Sequence, residues 1–88
     1  MKKIEGITGD QKKAIIGILE YTNPRMQTLI GDIRMIDKIC TAIENAKGDA
    51  IELEDADYAY MKQRLAGSPA WIPSKRKEII ALADKLGL

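Results

Sequence analysis

The fold turns on the stretch Pro24 to Ala46, PRMQTLIGDIRMIDKICTAIENA. Within it Met26, Leu29, Ile33, Ile36, Cys40 and Ile43 recur at spacings of 3, 4, 3, 4 and 3, the period that gathers apolar side chains on one face of an α-helix. Ile30 and Ile39 widen that stripe on opposite sides. Asn23-Pro24 supplies the start, an N-cap followed by proline at the first helical position. Lys47-Gly48 supplies the stop, a cationic last turn and a glycine. The spacing predicts one helix of roughly 23 residues, about 34 Å long.

Upstream, Asn23-Pro24 also closes whatever precedes it, because proline disfavours helical geometry in the residue before it. Thr8-Gly9-Asp10-Gln11 fits a capping box, in which the Thr8 and Gln11 side chains satisfy each other's backbone donors. A helix from Gly9 to about Glu20 is expected, with Ile15, Ile18 and Leu19 inward and Ile16 at the edge. On periodicity alone the run Ala14–Leu19 also suits a strand. The cap and Lys12-Lys13 favour the helix. Lys2 to Glu5 reads as a short extended start with Ile4 inward.

Downstream, Ala50-Ile51-Glu52-Leu53-Glu54 alternates apolar and charged residues, the pattern of a half-buried strand. It can pair with Lys2–Glu5 as a ribbon that needs helices behind it. Asp55 is expected to cap a third helix, Ala56 to about Ala66, with acidic residues early and Lys62 and Arg64 late. Gly67-Ser68-Pro69 ends it, and Ala70-Trp71-Ile72-Pro73 forms a loop. Ser74 opens a last helix, Lys75 to Leu86, offering Ile79, Ile80, Leu82, Ala83 and Leu86 to the core. The fold class is mainly α: four helices and at most a short two-stranded β ribbon, in the order β-α-α-β-α-α, as one domain over residues 1–88.

A chain of 88 residues buries only about 60–65 % of its unfolded surface, so its stability is thin. Apolar residues at 45 % and charged residues at 31 % support a folded chain rather than a disordered one. With 14 basic and 13 acidic residues, nothing in the net charge drives binding to nucleic acid or membrane. The chain has no histidine, which removes the usual acid–base residue and the commonest metal ligand. A lone Cys40 makes no internal disulfide, and zinc sites of the Cys/His type are excluded. No secretory signal pattern is present, and no apolar run approaches the ~20 residues of a membrane helix. The expectation is a cytoplasmic protein without catalytic residues, metal or cofactor.

Four features invite a functional reading. Glu52, Glu54, Asp55 and Asp57 are acidic and close together, but they lack the ligand spacing of a calcium loop; a solvated strand face and a helix start explain them. Lys75-Arg76-Lys77 occupy the first turn of the last helix, where the dipole disfavours cations; they form a candidate anion or partner patch, against the plain reading of solvated charge. Trp71, between Pro69 and Pro73, is a candidate loop anchor: a plug over the core in the favoured reading, an interface anchor in the other. Cys40 belongs to the apolar stripe and reads as a small hydrophobe. Tyr58 shares a face with Met61 and Leu65 and is expected in the core, with Tyr60 exposed.

The arrangement resembles a type of small, uncharacterised protein of bacteriophages and prophages. The resemblance spans nearly the whole chain and is most specific at Glu52-Leu53-Glu54-Asp55-Ala56-Asp57-Tyr58 and the helix that follows. It implies a role in particle assembly or another phage process, with no residue roles to transfer. The function expected is a non-catalytic interaction protein, a homodimer through Met26, Leu29, Ile33, Ile36, Cys40 and Ile43. The alternative is a small nucleic-acid-associated regulator using Lys75, Arg76 and Lys77, although base-reading or stacking residues are not evident.

Overall fold

A computed structural model describes residues 1–21 and 28–88. Its elements are β1 (Lys2–Glu5), α1 (Gly9–Leu19), α2 (Ile30–Asn45), β2 (Ala50–Leu53), α3 (Asp55–Gly67) and α4 (Arg76–Leu86), with a 3-10 turn at Pro73–Lys75. The strands pair antiparallel, Ile4 opposite Ile51 and Lys3 opposite Glu52. Alternation decides which face is dry: Ile4, Ile51 and Leu53 are buried, and Lys3, Glu5 and Glu52 face water. This is the four-helix, two-strand order expected from the sequence.

The chain leaves β1 through Gly6 at a left-handed φ of 78°, a conformation glycine adopts without steric cost. Ile7 is thereby turned fully inward, and its N–H donates to the Asp49 carbonyl at 2.9 Å. The capping box then starts α1: the Gln11 N–H donates to Thr8 Oγ1 at 3.2 Å, and the Thr8 N–H to Gln11 Oε1 at 3.0 Å. Ile15 and Leu19 are buried, with Ile16 and Ile18 at the edges.

The long helix is shorter than its apolar period. It begins at Ile30 and runs for 16 residues, with Leu29 extended at its N-cap. Thr28 is non-helical too; Pro24 and Met26 lie outside the described residues. A side-chain period does not mark where the backbone starts to coil, and Thr28, just before the start, is a weak helix former. At the other end Lys47 is not the capping cation. Lys12 Nζ, from α1, donates to the carbonyls of Ala46 at 3.0 Å and Gly48 at 2.7 Å.

Two further boundaries differ from the expectation. Glu54, not Asp55, is the N-cap of α3, and its side chain makes no capping bond; its carboxylate goes instead to Lys38 at 3.1 Å. On α4 the 3-10 turn occupies Pro73–Lys75, so α-helix starts at Arg76. Leu82 and Leu86 are buried and Ile79 half-buried, whereas Ile80 is 57 % exposed; the 79–82–86 spacing faces inward and leaves Ile80 outside. Tyr60 is half-buried rather than exposed, because its hydroxyl donates to Asp32 Oδ1 at 3.0 Å.

The core joins all these elements, with Ile39, Cys40 and Ile43 of α2 meeting Ile15 and Leu19 of α1, Met61 and Leu65 of α3 and the inner face of the ribbon. The molecule is a slab of 34 × 31 × 18 Å, thin enough that each helix keeps a long outer face. Among the described residues, no helix is long and apolar enough to cross a membrane.

Candidate interaction surfaces

The apolar stripe of α2 divides in two. At its C-terminal end Ile43 is fully buried and Cys40 is 7 % exposed, both packed into the chain's own core. Ile36 is half-buried. At its N-terminal end Ile33 is 50 % exposed, Leu29 63 % and Ile30 67 %. Met26 lies outside the described residues.

Side-chain bonds tie α2 to α3 at two places. Lys38 Nζ lies 3.0 Å from Asp57 Oδ2 and 3.1 Å from Glu54 Oε2, fixing the middle of α2 on the start of α3. Nearer the start of α2, Asp32 is held from the side by Tyr60. Nothing comparable covers Ile30 and Ile33 among the described residues. Ile33, Ile36 and Cys40 line a cleft of about 510 Å³ with Tyr21, and Glu20, Asp37 and Glu44 belong to the same cleft.

Those carboxylates bear on Cys40. Burial raises its thiol to about 11, and the charges of Glu20, Glu44 and Asp37 push the same way. The thiol therefore stays protonated at neutral pH, the opposite of a reactive cysteine.

The acidic run disperses as the strand and helix dictate. Glu52 faces water opposite Lys3, and Asp55 lies 3.7 Å from the N-terminal amine. Asp57, expected as a solvated helix-start carboxylate, is instead only 4 % exposed. Its position four residues before Met61 and eight before Leu65 puts it on their buried face, a signal that its place at the helix start obscures. The ammonium of Lys38 is held above its ordinary pKa by its bond to Asp57, then by that to Glu54.

Trp71 is half-buried, and its Nε1–H donates to the Leu65 carbonyl at 2.7 Å. It packs on the core and also lines a groove of about 660 Å³ with Ala14, Gly17 and Ile18 of α1 and Ile79 and Leu82 of α4. The plug and the anchor are thus two faces of one side chain. Lys75, Arg76 and Lys77 are all exposed, and none forms an ion pair among the described residues. Lys75 borders the Trp71 groove.

A smaller cleft of about 310 Å³ holds Tyr21, Asp32, Tyr60 and Arg64. The Arg64 guanidinium lies 6.0 Å from the centre of the Tyr60 ring, within cation–π range. Burial raises the Tyr60 pKa, and its bond to Asp32 adds to the shift. Its phenol is thus a neutral donor to Asp32 that holds two helices together.

No protein-family model, curated protein or solved structure matches the chain.

Proposed function

We propose that the protein is a non-catalytic interaction factor that self-associates through the N-terminal part of α2. The observation that carries this reading is the exposure of Leu29, Ile30 and Ile33, at 63 %, 67 % and 50 %, on one short segment. Soluble monomers seldom leave a contiguous apolar patch larger than a few hundred Å² in water, and a two-fold dimer is the commonest way to cover one. Ile36 and the adjoining cleft extend the same surface, while Cys40 and Ile43 contribute from beneath by holding α2 in place. The resemblance to small phage and prophage proteins extends the reading to an assembly or accessory role.

The test is a dilution series of the native chain and of Ile33→Glu, followed by light scattering after gel filtration. The native chain is expected to change mass with concentration, and Ile33→Glu to stay at the mass of one chain. Equal behaviour of the two overturns the reading.

A further inference from the structure

The β ribbon has two outer edges, and they differ in charge. Among the described residues no third strand joins it, and no hydrogen bond outside the ribbon engages the backbone of Lys2 to Glu5. Such an edge is a template for another strand unless something blocks it. Glu52 is the one charged residue of β2, so two copies of that edge have no opposite charges to match. β1 instead carries Lys2, Lys3 and Glu5 around Ile4. Lysines on an edge ordinarily repel a second strand; Glu5, two residues after Lys3, turns that repulsion into a match.

Register decides what the β1 edge fits. Opposite residues of an antiparallel pair share one face of the sheet. Setting Ile4 opposite Ile4 of a second copy puts each Lys3 opposite the other copy's Glu5, on the face that meets water. Within the ribbon Lys3 is opposite Glu52 and Glu5 is opposite Ala50. One row of the joined face then reads Glu52, Lys3, Glu5, Ala50, and the two-fold axis repeats it in reverse in the next. Along its own strand Lys3 Nζ lies 3.7 Å from Glu5 Oε1, so the four side chains close a ring of alternating sign. A shift of one residue would set Lys3 opposite Ile4 and turn one copy's core face to the wrong side of the sheet.

We propose that β1 pairs antiparallel with β1 of a second copy, joining two ribbons into a four-stranded sheet centred on Ile4. Gly6, at its left-handed φ of 78°, follows the last strand residue and keeps the ladder short. A short ladder and two exposed charge pairs offset little of the freedom lost on association. The contact therefore forms in the submillimolar to millimolar range, above the concentrations at which α2 association is read. It is a second contact, beyond that of α2 and independent of it. Where both form, each chain carries two two-fold contacts, which join chains into assemblies larger than a dimer.

The test uses Ile33→Glu as the background, so that β1 is read alone whether or not α2 associates in the native chain. Translational diffusion and backbone amide shifts are followed by NMR as concentration rises. Diffusion is expected to slow, with the shifts concentrated at Lys3, Ile4 and Glu5. Glu5→Lys, which meets only Ala50 in its own ribbon, sets lysine against lysine and should weaken association about tenfold. Glu5→Gln, which adds no charge, should fall between. Lys3→Glu sets glutamate against glutamate and should weaken association as Glu5→Lys does. An equimolar mixture of Lys3→Glu and Glu5→Lys restores opposite charges in every cross-strand pair and should associate like the background chain. Because Lys3→Glu also meets Glu52 in its own ribbon, the mixture is read once circular dichroism shows both variants folded; Glu5→Lys tests the proposal without it. Diffusion independent of concentration, shifts centred outside β1, or Glu5→Lys associating like the background overturns the proposal. So does a mixture of folded variants no tighter than its components.

Discussion

Asp57 meets Lys38 at 3.0 Å across the junction of α2 and α3, and it is the one charged side chain buried among the described residues. A buried carboxylate is tolerable only when paired, and removing its partner costs more than the pair is worth. The pair therefore sets where α2 rests, and with it which part of the apolar stripe stays in water.

Lys38→Met should lower the urea midpoint, and the further change Asp57→Asn should recover part of the loss, because no unpaired charge then remains buried. The pH dependence has a definite sign. The Lys38 pKa is raised in the folded chain, so its contribution is complete below the ordinary lysine value. It is lost as pH rises through the raised one. Subtracting the alkaline stability profile of Lys38→Met from that of the native chain isolates this loss; two profiles of the same shape would contradict it.

Cys40 should be a poor nucleophile in the folded chain. A thiol raised from 9.0 to about 11 carries about a hundredfold less thiolate near pH 8, before burial further slows access. Alkylation by iodoacetamide should therefore be at least that much slower in native protein than in urea-unfolded protein. A native rate near that of a free thiol would show the side chain open to solvent.

Trp71→Ala removes a half-buried ring and leaves the Leu65 carbonyl with only the longer bond from the Ser68 N–H at 3.4 Å. The expected cost is about 2–4 kcal/mol, a large share of a small domain's stability. Trp71→Phe keeps most of the apolar contact and loses only the hydrogen bond, for about 1 kcal/mol. Equal losses in the two variants would mean that the hydrogen bond, rather than packing, holds the loop.

Thr8→Ala should cost about 1 kcal/mol, the usual value of an N-cap side chain, and Thr8→Ser should restore most of it. Chemical denaturation followed by circular dichroism measures both. No loss in Thr8→Ala would mean that α1 is started by its packing rather than by its cap.

Short-range chemistry was legible in the sequence. The Thr8–Gln11 cap, the alternation at Ile51 and Leu53, and the order of elements follow from residues within one turn or one strand of each other. What was not legible depends on distant partners. Lys12 closes α2 from a position 34 residues away from Ala46, and Lys38 draws Glu54 out of a capping role. The period from Leu29 to Ile43 identified the stripe, yet burial of Cys40 and exposure of Ile33 were decided by where α1 and α3 come to rest. Asp57 was half-legible: its spacing from Met61 put it on the inner face, but its helix-start position suggested water.

The central claim is that the exposed start of α2 joins one copy of the chain to another, and sedimentation equilibrium over the micromolar range tests it most directly. The native chain should rise with concentration from the mass of one chain toward that of two, and Ile33→Glu should remain at one. Ile43→Ala, which opens the chain's own core, should cost about 2–5 kcal/mol of folding stability, separating core from contact surface. A native chain that stays at the mass of one at every concentration would contradict the account, as would an Ile33→Glu variant that associates like the native chain.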